Sequence, residues 1–231
     1  MLSGLKIPSL NLWLSNKTYV NEDKQYRLTL IWENTTVRKD ALEELKALIR
    51  MAHDDAKYCL RKALRDTLDP LETWDDAKDP AEGYPEMLDL TTLKGYFGEI
   101  FSGIVAENFS PFDEKNWRVP VFPFRFHTTA FDQLEMYRQT GEINPTFGRT
   151  GDDCVAFVLD GDTIIKILFL EAKCTADHDT NMIADAHNKI SSKNEKPVEL
   201  LRIIEILKDH RNNPKVPDVD LWITALRKLY N

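Results

Sequence analysis

The strongest constraint on the fold is the stretch Gly148-Arg-Thr-Gly-Asp-Asp-Cys-Val-Ala-Phe-Val-Leu-Asp160, followed closely by Ile164-Ile-Lys-Ile-Leu-Phe-Leu-Glu-Ala-Lys-Cys174. It reads as two adjacent apolar strands with Gly161-Asp162 as the turn between them. The first strand opens on a pair of aspartates and the second closes on Glu171 and Lys173. Acids and a lysine at the ends of buried strands cost free energy unless something compensates them. A divalent cation with a phosphate ligand is the expected compensation.

Residues two apart in a strand share a face, so Glu171 and Lys173 point one way while Ala172 and Cys174 point the other. An antiparallel pairing of the two strands brings Asp152 and Asp153 level with Glu171 and Lys173. Such a cluster suits phosphodiester hydrolysis. Carboxylate oxygens are hard ligands that suit Mg²⁺ or Mn²⁺, ions that keep several waters and accept a phosphate oxygen. Lys173 is placed to orient a water or help deprotonate it, and to stabilise developing charge.

At 231 residues the chain has room for one good core and a sizeable extension. The net charge of −8 argues against a protein that coats nucleic acid by bulk electrostatics, but not against an enzyme that grips it locally. The charge is uneven. Asp66 to Asp89 holds nine acids against the single Lys78, and the rest of the chain is near neutrality. Three cysteines without CxxC or Cys/His spacing suggest neither a disulfide framework nor a structural zinc site, and Cys154 and Cys174 read as small apolar strand residues. No run approaches the roughly eighteen apolar residues of a membrane helix. Met1-Leu-Ser-Gly-Leu-Lys lacks the order of a secretion signal, so a cytoplasmic protein is expected.

The N-terminal extension, residues 1–68, begins with Leu10-Asn-Leu-Trp-Leu and Tyr26-Arg-Leu-Thr-Leu-Ile-Trp32, two strand-like runs around a turn at Asn21-Glu-Asp-Lys. From Arg38 to about Leu68, apolar residues recur at three and four, the pattern of a long amphipathic helix. Its basic face is either solvated or a surface for nucleic acid or an acidic partner. Residues 69–88, with three prolines, form an acidic connector. That connector is either a solvated linker or a mimic of a phosphate backbone that occludes the site.

The expected core spans 89–231. A helix runs from Asp89 to Glu107 with Thr91 or Thr92 as N-cap, and Glu99 sits inside its apolar stripe. That carboxylate is either edge-exposed or functional. Gly95, Gly98 and Gly103 suggest that another backbone or a ligand comes close. Trp117 to Phe126 reads as an edge or bulged strand because of Pro120 and Pro123. A helix capped by Thr128 or Thr129 follows, and the chain ends in helices at 176–192, 198–208 and 219–230. This order gives an α/β core with a mixed central sheet.

Glu99 on a helix, Asp153 at a strand start and Glu171-Ala-Lys173 at a strand end resemble the PD-(D/E)XK nuclease superfamily, over residues 90 to 195. The aspartate stands eighteen residues before the Glu-x-Lys, both strands are apolar, and a polar helix follows. The resemblance implies a restriction-endonuclease-like core with Asp153 and Glu171 as metal ligands, Glu99 as an auxiliary ligand and Lys173 as the catalytic lysine. The long insertion between Glu99 and Asp153 departs from the usual pattern and makes Glu99 the least secure of these. Asp152 competes with Asp153; the superfamily's usual form favours Asp153, with Asp152 as a neighbour.

Gly-Arg-Thr-Gly-Asp-Asp and Leu-Glu-Ala-Lys-Cys are similar to phrases in bacterial anti-phage defence nuclease subunits of the Hachiman type, which implies a helicase partner. Arg125, Arg149, Lys189 and Lys193 are candidates for backbone phosphates. His178, Asp179, Asp185 and His187 are either site-lining or solvated.

The expectation is a Mg²⁺- or Mn²⁺-dependent DNA endonuclease acting with a protein partner. One alternative is a catalytically inactive module that binds nucleic acid or a partner. The other is a stand-alone restriction or resolvase enzyme.

Overall fold

A computed structural model of the chain describes residues 5, 7–23, 26–65, 79, 81–122, 137, 140–142, 153–175, 179–191, 199–211 and 218–230. Two compact units are present, Lys6–Arg50 on the one hand and Met1–Leu5 with Met51–Asn231 on the other.

In the unit Lys6–Arg50, a helical turn α1 (Leu10–Trp13) leads into strand β1 (Leu14–Val20), which pairs antiparallel with β2 (Arg27–Glu33). Leu10 to Trp13 is thus helical, where alternation suggests a strand. Its Leu10 and Trp13 are buried, four-residue-turn neighbours that only a helix brings to one side. The foot of the hairpin is tied down. The Trp13 indole N–H donates to Glu33 at 3.1 Å, and Arg38 pairs with the same carboxylate. The rest of the hairpin is exposed, and Tyr19, Leu28, Leu30 and Trp32 are about half uncovered. Register places Tyr19, Leu28, Leu30 and Trp32 on one face.

Helix α2 (Arg38–Arg65) buries the stripe Ala41, Leu45, Leu48, Ala52, Ala56 and Leu60, as its periodicity predicts. Four of its cations are engaged by carboxylates: Arg38 with Glu33, Lys46 with Glu43, Arg61 with Asp79 and Lys62 with Asp209. The described end of the acidic connector is packed rather than solvated, because Ala81, Tyr84, Met87 and Leu88 are buried. The Tyr84 hydroxyl lies 2.9 Å from Nδ1 of His53, whose burial lowers its pKa.

Helix α3 (Leu90–Asn108) is capped by Asp89, not by a threonine; its carboxylate accepts the N–H groups of Thr91 and Thr92. Aspartate outcompetes the neighbouring hydroxyls because a carboxylate also answers the positive helix end. Glu107 near the other end of α3 accepts the Leu5 N–H on one oxygen and the Val119 N–H on the other, both at 2.8 Å. The Asn108 amide donates to the Leu5 carbonyl, so both backbone groups of Leu5 are held by this helix.

Strands β3 (Cys154–Asp160) and β4 (Thr163–Leu170) form the hairpin that the sequence foretells, turning at Gly161 with φ +57°. Val155, Phe157 and Leu159 pack with Ile164, Ile167 and Phe169 against helices α5 (Glu199–Asp209) and α6 (Val219–Tyr230). Cys154 points the other way, toward α3, where its thiol is hydrogen-bonded to Ser102. All five residues from Cys154 to Val158 are buried. A strand covered on both faces is apolar throughout, which is why it carries no alternation.

The architecture is α/β, but the described residues hold two separate antiparallel pairs instead of one mixed central sheet. Among the described residues the Trp117 segment joins β3 through a single bridge, Arg118 to Phe157. Pro120 has no N–H with which to extend it. Helix α4 (Thr180–Ser191) starts later than the sequence suggests, with Asp179 accepting the Asn181 N–H. Of the helix expected after Thr128 or Thr129, Phe131, Leu134 and Met136 lie outside the described residues, while Tyr137 is described and helical. No helix among the described residues is long and apolar enough to cross a membrane.

Candidate functional site

The pairing of Cys154 with Leu170 carries the chain one step further to Asp153 opposite Glu171. There the ladder gives way to a side-chain bond: Asp153 Oδ2 accepts the Ala172 N–H at 2.8 Å. Asp153 and the Glu-x-Lys segment just past the second strand thus meet at the same end of the hairpin.

Glu171 is the centre of the cluster. Its side chain is 1% exposed, and each carboxylate oxygen faces an ammonium group. Lys173 Nζ lies 2.7 Å from Oε1 and Lys189 Nζ lies 2.5 Å from Oε2. A carboxylate this deep is tolerable only with such partners. Glu171 raises the Lys173 pKa above the usual lysine value, with Asp153 and Asp185 adding to the effect. Lys173 therefore remains an ammonium at neutral pH, which suits it to orientation and charge stabilisation and not to the removal of a proton.

Lys189 is the largest revision. Its place on α4 suggests contact with backbone phosphates, but the structure turns it inward to Glu171. Met182, Ala186, Lys189 and Ile190 are the part-buried positions of α4, so Lys189 belongs to the inner stripe. Ile183, expected on that face, is 66% exposed. A cavity of ≈ 340 Å³ opens beside Glu171 and Lys173, with Thr175, Asp179, Met182 and Ala186 in its lining. Asp179 thus lines the site, while His187 is exposed.

Glu99 is buried, at 3% exposure, which overturns the reading of it as an edge residue. Its helix comes close to the Glu-x-Lys segment through the preceding residue. A Cβ at Gly98 would lie 3.1 Å from that of Ala172, so glycine is what allows the approach. Gly103 is likewise filled by Leu5 and Phe122, whereas Gly95 faces open space and has no such reason. Cys154 is fully enclosed; burial, and then the charge of Glu99, push its thiol pKa well up and leave it unreactive. Cys174, by contrast, is exposed and lies beyond the strand.

Asp152, Arg149, Lys193, Arg125 and His178 lie outside the described residues. Among the described residues, no three His, Cys, Asp or Glu side chains are grouped to hold a metal ion. Mg²⁺ needs less than that from the protein: one or two carboxylates, with waters and substrate phosphates completing its shell. Asp153 and Glu171 meet this requirement, and the two ammonium groups on Glu171 show that positive charge is wanted at that point. The donor set fits a hard divalent cation on condition that a lysine yields its place.

Two residues escaped sequence reasoning altogether. Glu107 and His53 have partners far away in sequence, Leu5 and Tyr84, and no local pattern marks them. No family model, no curated protein and no solved structure matches the chain.

Proposed function

We propose that the chain is a nuclease of the PD-(D/E)XK type that hydrolyses DNA phosphodiester bonds with Mg²⁺ or Mn²⁺, working with a helicase in defence against phage. The observation that carries this reading is the buried Glu171 with Lys173 on one oxygen, at the same hairpin end as Asp153. A restriction-endonuclease-like core is part of the proposal. The helicase comes from the resemblance of the Gly-Arg-Thr-Gly-Asp-Asp phrase, and fits a chain whose net charge of −8 gives little grip on DNA by itself.

Asp153 and Glu171 would hold the divalent cation, whose contribution is to lower the pKa of a water and neutralise charge on the scissile phosphate. Lys173, kept protonated by Glu171, orients the attacking water and faces the charge that develops on phosphorus-bound oxygen. The Asp153 bond to the Ala172 N–H fixes the short segment that bears both Glu171 and Lys173. Fixing that segment maintains the near-attack geometry that rate depends on.

Purified protein with Mn²⁺ or Mg²⁺, alone or with its helicase, is expected to nick plasmid DNA. Glu171→Gln and Lys173→Ala should each lower the rate at least about 10²-fold, with circular dichroism confirming that both variants fold. Undiminished cutting by either sinks the assignment. A second reading, a module that binds but does not cut, draws support from the occupation of both Glu171 oxygens by lysines. It prevails if neither wild type nor variants cut while all bind the partner equally.

A further inference from the structure

Lys189 and Lys173 are not equivalent partners of Glu171. Lys173 stands two residues along the same segment, which Asp153 fastens through Ala172, so its stem starts from a fixed backbone beside Glu171, although its side chain is 37% exposed. Lys189 arrives from a separate helix, eighteen residues away, on a long flexible stem whose side chain is one-third exposed. It has a path to water, and the cavity beside Glu171 gives an incoming ion a way to the carboxylate. Asp153 and Glu171 are answered by Lys173 and Lys189, with Asp179 and Asp185 close by. Both oxygens of Glu171 are taken, so a cation that binds there must displace an ammonium.

We infer that Lys189 is a place-holding cation: it occupies the ion's position on Glu171 in the metal-free protein, and a divalent cation binds by displacing it. The choice of cation rests on the nuclease reading; the competition itself rests on the two ammonium groups sharing one carboxylate. Lys189 is accordingly a positioning residue. It keeps Glu171 oriented while the site is empty of metal and sets the concentration of metal at which the site fills. Once displaced, its ammonium is available to a backbone phosphate.

The test is the affinity for Mn²⁺ alone, read from the electron paramagnetic resonance signal of the free ion in solutions of the full-length chain. Lys189→Met should bind Mn²⁺ about tenfold more tightly than wild type, the equivalent of one lost charge-assisted hydrogen bond on the competing side. Lys189→Arg should restore weak binding, and Glu171→Gln should abolish binding in either background. Unchanged or weaker binding by Lys189→Met, or no Mn²⁺ binding by any variant, overturns the inference. Should Lys189→Met fail to fold, wild type supplies the readout: Mg²⁺ should speed amide hydrogen exchange across residues 180–191, and unaltered exchange there counts against displacement. Failure here is separable from failure of the nuclease reading. A protein that cuts DNA with unchanged Lys189→Met affinity loses only the place-holder, and one that shows the competition without cutting loses only the nuclease.

Discussion

Hairpins β1–β2 and β3–β4 are alike in length and pairing, each an antiparallel pair of seven or eight residues, yet Phe157 is fully buried while Leu28, Leu30 and Trp32 stand about half exposed. The ladder is therefore not what distinguishes them. A two-stranded sheet is marginal in water, and β3–β4 is held because α5 and α6 cover one face while α3 covers the other face of β3, with β4 left part-exposed. Covering β3 on both sides is also what turns the open end of the hairpin into a rigid mount for Asp153 and Glu171. Groups that must hold their geometry do so when packing locks the elements that bear them. β1–β2 carries no such burden, and it presents Tyr19, Leu28, Leu30 and Trp32 on one uncovered face with Lys17 over the Tyr19 ring at 4.8 Å.

The contrast has measurable consequences. Phe157→Ala should cost about 3–5 kcal/mol in urea denaturation, since it empties a fully enclosed aromatic site between the hairpin and Trp222. A loss below about 1 kcal/mol would mean that the helices do not grip the strand. The two glycines of α3 sharpen the point at smaller scale. Gly98→Val should cost about 1–3 kcal/mol by forcing the helix away from Ala172, whereas Gly95→Ala, with open space around it, should stabilise by about 0.5–1 kcal/mol. Thermal melts of the pair check this, and equal effects at both positions would refute the close approach. Smallest of all, Trp32→Ser should shift stability by no more than about 0.5 kcal/mol. If it costs as much as Phe157→Ala, the two hairpins are not opposites after all.

The legible parts of this chain were those whose reasons are local or periodic. An apolar run broken by Gly161-Asp162 reads as a hairpin, and Glu171 and Lys173 do meet, although β4 ends at Leu170 and both lie just past it, outside the period-two ladder. The spacing of Ala41, Leu45, Leu48 and Ala52 gave α2 directly. What stayed hidden depends on distance. Aromatic and branched residues mark β2 as a strand without saying what, if anything, covers it. Leu10 to Trp13 alternates like a strand but winds into a turn because two of its large side chains, Leu10 and Trp13, find cover on one side while Leu12 stays exposed. A lysine on a polar helix looks like any solvated lysine, so nothing in the sequence around Lys189 announces a carboxylate eighteen residues upstream. The N-cap was missed for a different reason: Asp89 and Thr92 both qualify chemically, and only the geometry of chain entry decides between them.

The grip of α3 on Leu5 carries a kinetic consequence. Leu5 is buried completely, and its N–H and carbonyl are both satisfied from across more than a hundred residues, by Glu107 and Asn108. Closing so large a loop is costly in entropy, and the contact offers no reward until α3 itself has formed. Leu5 is thus expected to join late, after the helix has a surface to receive it.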